Sequence, residues 1–285
     1  MKKITKIIAG VVTFMLIGGI LWFANGFIGN PISKMLADRS AGKYIKETYP
    51  DMELEISKAS YNFKDGRYYV FVKSKTSIDT HFSLDISSGG KIVNDFYENS
   101  VLGKFNTWNR VNSEYRDIVG KVFDGDDFPY ESDIDFGELQ DIRSKEETGD
   151  YESFGPVYGL TIDDLEIDKQ YDVKELAKTA GRLIFYTEDR QVDAKRASEI
   201  LLDIKDIFDA ADVPFYAIDF CLQEPRIGDD EVDRDRRIFD ISEFLYSDIY
   251  EEDLIKRLEE NEKKLQDYYD KQDSKKSEIK EGISK

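Results

Sequence analysis

His81 is the chain's one histidine and Cys221 its one cysteine, so imidazole or thiol chemistry must pass through one of these two side chains. His81 stands in the run Thr80 to Ile86. There Phe82, Leu84 and Ile86 point one way, while Asp79, His81, Ser83 and Asp85 point the other. The second set superficially matches an acid, a base and a nucleophile. Residues i and i+2 of a strand, however, lie about 6.6 Å apart, well beyond the roughly 2.6–3.2 Å that proton transfer needs. A partner for His81 must come from an adjacent strand. A solvated face on a half-buried sheet explains the same alternation more simply.

Cys221 sits inside the apolar run VPFYAIDFCL, Val213 to Leu222, with no Lys or Arg closely preceding it to favour a thiolate. Burial as a small apolar side chain is the simpler account, although Asp219 shares its face and leaves a polar pocket open. The acidic runs Asp124-Gly125-Asp126-Asp127 and Asp229-Asp230-Glu231-Val232-Asp233-Arg234-Asp235 invite a calcium reading. An EF-hand needs glycine at position 6 and glutamate at position 12. Counting from Asp229 puts Arg234 and Asp240 there; counting from Glu131 puts Phe136 at position 6, with the glycine one residue late. Both patterns fail, and solvated flexible loops account for the composition. The sequence also lacks GxxxxGK[ST], a strand-linked GxGxxG, GxSxG, HExxH and CxxC. A tetrahedral zinc site would need carboxylates or a second chain. The aromatics fall mostly at strand and helix spacing, so core packing explains them more simply than a glycan groove. No catalytic, cofactor-binding or metal-ligating residue is assigned, and no cofactor is expected.

The elements around these residues begin with an apolar run. Between Lys6 and Lys34 there are 27 residues without a formal charge, and Ile7 to Ala24 is almost wholly apolar. At about 1.5 Å per residue such a run matches a hydrocarbon core of roughly 30 Å. Its end, Ile20 to Asn25, is bulky where a signal peptidase site needs small residues. The expectation is therefore a short basic tail at 1–6 and a single transmembrane anchor at 7–29, with the bilayer as partner. Lys2, Lys3 and Lys6, packed against the run, favour a cytoplasmic N-terminus with residues 30–285 extracytoplasmic.

Residues 30–285 hold 37 basic and 59 acidic side chains, a net of −22. Such a charge disfavours nucleic acid and favours solubility or cationic partners. A single cysteine forbids an intramolecular disulfide, so hydrophobic burial must hold the fold. The spacing predicts a helix over Ser33 to Tyr49, ended by Pro50, then hairpins across Lys64-Asp65-Gly66-Arg67 and Ser87-Ser88-Gly89-Gly90. A slip in alternation near Lys58 and Ala59 indicates a bulge. A helix with Val111, Tyr115 and Val119 on one face follows. These make a helix, four-stranded antiparallel meander and helix over 34–123. Residues 124–157, acidic and aperiodic, read as a linker. A second α+β domain over 158–270 would comprise an edge strand at Leu160 to Ile167, a helix at Val173 to Ala180, and a strand at Arg182 to Tyr186. Then come a helical stripe from Ala197 to Ala211, a doubly buried strand at Val213 to Leu222, a strand at Arg237 to Tyr246, and a helix from Asp248. Residues 271–285 read as a disordered tail.

The stretch SYNFKDGRYYVFVKSKTSIDTHFSL (Ser60 to Leu84) with NTWNRVNSEYR (Asn106 to Arg116), and RLIFYTED (Arg182 to Asp189) with VPFYAIDFCLQEPR (Val213 to Arg226), resembles the YfjL-like proteins of Gram-positive bacteria, an uncharacterised, membrane-anchored family. The resemblance implies an anchor and a two-part layout, and it brings no site residues. The sequence thus supports an acidic extracytoplasmic interaction or sensing module with a protein partner at the membrane or cell envelope. A carboxylate-based cell-envelope hydrolase and a calcium-responsive binder stand as alternatives.

Overall fold

The computed structural model describes residues 2–143, 153–225 and 236–283; within these, side chains are described at Ile4 and from 6 to 275, apart from Ala9, Leu21, Trp22, Ala24 and Asn25. The fold is α+β with two sheets. It divides into two units, one of Met1–Thr107 with Leu165–Lys169, the other of Trp108–Asp164 with Gln170–Lys285.

In the first unit, α1 (Lys2–Ile28) stops at Gly29, whose φ of +78° suits glycine. Side chains also crowd that position, since a Cβ there would fall 2.6 Å from the Tyr61 ring. Asn30 starts α2 (Pro31–Thr48) by accepting from Ile32 N at 2.7 Å, and Pro31 fills the first turn where no N–H is needed. The sheet comprises β1 (Leu54–Ile56), β2 (Ser60–Asn62), β3 (Arg67–Ser74), β4 (His81–Ile86) and β5 (Ile92–Asp95) in the order β1-β3-β4-β5, with β2 also paired to β3. Its inner face, Tyr68, Val70, Val72, Phe82, Leu84 and Ile86, packs with Ala37, Ala41 and Ile45 of α2. The slip near Lys58 and Ala59 is a full break between β1 and β2, so the sheet has five strands, one more than the sequence suggests. Only Gly66 in the first hairpin takes positive φ, because four residues separate the paired Asn62 and Arg67. That is a longer loop than a two-residue Asp-Gly turn.

The second unit builds its sheet from β6 (Ser132–Leu139), β7 (Gly181–Glu188), β8 (Ala217–Gln223) and β9 (Ile238–Leu245) in that order; only β7 and β8 run parallel. Around it lie α3 (Phe105–Phe123), α4 (Val173–Ala180), α5 (Ala194–Ala210) and α6 (Leu254–Ile283). The apolar stripe of α3 (Val111, Tyr115, Val119, Phe123) and that of α5 (Ile200, Leu201, Ile204, Phe208) bury Leu183, Phe185, Phe220 and Ile241 of the sheet.

Several expectations are corrected here. Among the described residues, no helix is long and apolar enough to cross a membrane, which overturns the transmembrane anchor at 7–29. The end of α1 meets protein instead: Tyr61 Oη donates to the Gly26 carbonyl at 3.3 Å, and the Phe27 and Phe63 rings are 5.8 Å apart. The single-pass topology, the cell-membrane address, the cytoplasmic N-terminus and the extracytoplasmic assignment of 30–285 fall with the span. Residues 124–157, read as a linker, contain β6, in which Asp135 shares the face of the buried Gly137 and Leu139 while the apolar Ile134 and Phe136 take the other, so that no apolar alternation shows. The first unit closes at Thr107 rather than 123, because the α3 stripe serves the second core. Residues 160–167 form a single bridge at Leu160 and a 3₁₀ turn (Ile162–Asp164) rather than a strand. The backbone of α6 continues helically to Ile283, through most of the expected tail.

Candidate functional site

The polar face of the second sheet collects the charges that its apolar strands carry. Arg182 on β7 lies opposite Glu138 of β6, and its Nη1 is 3.4 Å from Glu138 Oε1. On its other side it reaches diagonally to Asp219 of β8, which Nη2 contacts directly. Asp219 in turn shapes β9. Between the pairs Ile218↔Phe244 and Phe220↔Ile241 the register shifts, so Ser242 and Glu243 together oppose Asp219 in a β-bulge. Asp219 Oδ1 accepts from Ser242 Oγ at 3.1 Å and from Glu243 N at 2.7 Å. Glu243 takes a φ of +52°, uncommon for a residue with a Cβ. That conformation leaves its carboxylate only 4% exposed, 3.6 Å from Arg182 Nη1 and accepting from Tyr158 Oη at 2.6 Å.

One guanidinium therefore faces three carboxylates. Burial opposes its charge, but Asp219 first and then Glu243 and Glu138 outweigh burial and hold Arg182 above its ordinary value. Tyr158 is raised by burial and by Glu243, so it remains a neutral donor. Farther along the same face, Asp240 lies opposite Cys221. Burial, then Asp219 and Glu262, push the Asp240 carboxyl up to about 6. The Cys221 thiol is pushed up to about 12 by burial and Asp240, against a weaker opposing pull from Arg236. A thiol so disfavoured from ionising is a poor nucleophile. Below the bulge, a cleft of about 460 Å³ is lined by Glu243, Phe244, Arg257, Glu260 and Lys264, among others.

The outer face of the first sheet is the other concentration of polar groups. Its registers place Phe71 beside Ser83, Lys73 beside His81, and Tyr69 beside Asp85, with Asp85 also opposite Asn94. Asp85 has a side chain 4% exposed, and its Oδ2 accepts from Arg67 Nη1 at 3.3 Å and Asn94 Nδ2 at 2.8 Å. Its Oδ1 has no hydrogen-bond partner among the described residues. An unmet buried acceptor costs about 1–3 kcal/mol.

Comparison with known proteins decides the family. Residues 4–96 match the family model described as "YfjL-like, N-terminal domain", and residues 114–259 match "YfjL-like C-terminal domain", the latter alone more than half of the chain. The chain belongs to the YfjL-like family. A relative named "Uncharacterized protein YfjL" from Bacillus subtilis (strain 168) is 33% identical over 63 residues, which is 22% of this chain and 28% of the relative. The chain thus spans well under two thirds of that relative's length. No solved structure matches the chain.

The sequence-derived candidates of this YfjL-like chain are not brought to one place. His81 stands on the outer face of the first sheet with its ring 5.7 Å from that of Phe71. Asp79, expected on the same face, instead turns inward, where its Oδ2 accepts from Asp168 N at 2.8 Å. Cys221 and Asp219 belong to the second unit. Residues 124–127 follow α3; residues 229–235 lie outside the described residues. Among the described residues, no group of three or more His, Cys, Asp or Glu could hold a metal ion. Reading the sequence missed Arg182, Glu243 and Tyr158. Arg182 did leave a signal, because a lone cation in GRLIFYTE and a lone anion in VPFYAIDFCL are oppositely charged intruders in two apolar strands.

Proposed function

We propose that this YfjL-like chain is a non-catalytic interaction module whose acidic second unit meets a cationic protein partner. The observation that carries this reading is the partition of charge. The first unit holds 15 basic and 12 acidic residues, which leaves 25 basic against 47 acidic for the second. The whole of the net negative charge therefore belongs to the chain segments of the second unit, the arrangement that steers association with a positive surface. The reading also gains support from the internal pairing of Arg182, Asp219, Glu243 and Tyr158, which act on one another within the sheet, and from a thiol held protonated.

The test is crosslinking of the tagged full-length chain in cells, followed by affinity measurement between the purified pair. The expected partner is basic, with an affinity that falls at least tenfold between 50 mM and 500 mM salt. A neutral or acidic partner, or an affinity indifferent to salt, overturns the reading. A second reading, a carboxylate hydrolase acting on glycan or peptide, draws on one observation: Asp240, whose carboxyl burial pushes up to about 6, has Asp219 as a charged neighbour. Turnover of such a substrate by the purified chain, abolished in a folded Asp240→Asn variant, would install it instead.

A further inference from the structure

We propose that a proton on Asp240 latches α6 to the second sheet: the helix grips β9 while that carboxyl is neutral and opens over residues 258–272 when it ionises. The grip is a small set of contacts. Asn261 of α6 accepts from Ser242 N at 3.1 Å and donates to Ser242 O at 3.0 Å, so one amide occupies the backbone of the edge strand. Leu258 is buried, and from 259 to 271 Leu265 is the one buried side chain. A helix held over this stretch by one amide clip and two leucines is a separable unit, of the kind that opens without the rest of the fold.

Asp240 lies beside that clip, two residues before Ser242 on β9. It stands opposite Cys221 of β8 and diagonal to Asp219, and Cys221 in turn stands opposite Tyr186 of β7. From α6, Glu262 and Tyr269 act on the same spot. The cluster thus holds three carboxylates, and the cations nearest to it are engaged elsewhere. Arg182 serves Asp219, Glu243 and Glu138, while Arg236 is taken by Glu188 and by the Glu224 carbonyl. Among the described residues no donor or cation offsets the Asp240 charge, and burial, Asp219 and Glu262 all oppose it. Tyr186 and Tyr269 are each raised by burial and next by Asp240, and the Cys221 thiol is held protonated, so none of the three supplies a compensating charge. Glu262 is itself raised by burial and by Glu259. Ionising Asp240 therefore places a further negative charge under α6 that only water can relieve. Lifting the helix admits that water and carries Glu262 away. The sign follows: the latch is closed below the ordinary carboxyl range and weakens as pH rises through about 6.

The experiment is hydrogen exchange of the full-length chain at pH 5 and pH 7.5, expressed as protection after correction for the intrinsic effect of pH. At pH 7.5 residues 258–272 should be protected at least tenfold less than β8, and 1 M urea should leave their exchange unchanged, the mark of a local opening. At pH 5 their protection should rise by about tenfold, the change expected for a carboxyl that titrates near 6 when closed and at its ordinary value when open. Asp240→Asn, which keeps the shape and removes the charge, should hold the higher protection at both pH values. Glu262→Gln, which leaves Asp240 in place, should be better protected over 258–272 than the parent at pH 7.5. The proposal is overturned if 258–272 exchanges only together with β8, if the pH dependence survives in Asp240→Asn, or if Glu262→Gln exchanges as the parent does.

Discussion

Arg182 is the residue on which the second unit's polar face depends. It sits among three carboxylates, and buried ion pairs of this kind are more costly to break than they are stabilising to form. Arg182→Met is expected to destabilise the chain by about 3–5 kcal/mol in urea unfolding, since the remaining acids would then repel one another. Adding Glu243→Gln should recover part of that loss, and a purely additive double mutant would contradict the network. Asp240 makes a prediction with a definite sign. Its carboxyl titrates near 6 in the folded chain, above the ordinary carboxyl value, so folding takes up a proton in the window between. Stability from this group is greatest below about pH 4 and declines as pH rises to about 6, by up to about 3 kcal/mol. Asp240→Asn should therefore be more stable than the parent at pH 7, with the difference vanishing near pH 4. A difference independent of pH would count against this account.

At the scale of elements, the approach of α3 to β6 depends on a missing side chain. A Cβ at Gly137 would lie 2.5 Å from Val119 Cγ2 and 3.0 Å from the Tyr115 ring. Gly137→Ala is therefore expected to cost about 1–3 kcal/mol in thermal or urea unfolding, as overpacking does. Val119→Ala combined with it should cost less than the two changes summed. This contact also explains why β6 was illegible in the sequence. One of its two buried positions is a glycine and most of its others are acidic or polar, so neither an apolar alternation nor a charge-free run marks the strand. α4 was legible for the opposite reason. Val173–Ala180 carries its own start signal, Asp172, whose side chain accepts from Lys174 N at 3.1 Å. Such a cap is a local interaction, complete within a few residues of chain.

At the scale of the molecule, the chain returns to its first unit after entering the second. Leu165–Lys169 belongs with residues before 108, and Ile167 packs on their core. The hold is reciprocal: Asp79 N donates to Asp168 Oδ1 at 3.0 Å, and Asp168 N to Asp79 Oδ2 at 2.8 Å. Asp168→Ala removes an acceptor and also burdens a backbone at φ +65°, which Asn tolerates better. Hydrogen exchange across Asp79 to Ile86 should accelerate at least fivefold in Asp168→Ala and less in Asp168→Asn. Exchange unchanged in both would mean that the segment adds nothing to the first unit.

The sequence by itself determined the family, the α+β class, most helices and the paired strands of the first sheet, because these follow from short-range spacing, turn residues and caps. It also determined the net charge and the want of any familiar catalytic motif. Tertiary structure alone decided which core the α3 stripe enters, that Arg182 meets Asp219 and Glu243, and that Asp85 is buried with an oxygen unmet. Those outcomes depend on strand register and on which elements become neighbours, and no local run of residues encodes them. The apolar stretch at the amino terminus makes the same point in reverse. Composition suggested a span, whereas among the described residues no helix meets the length and apolarity of one, and the ring of Phe27 packs near Phe63.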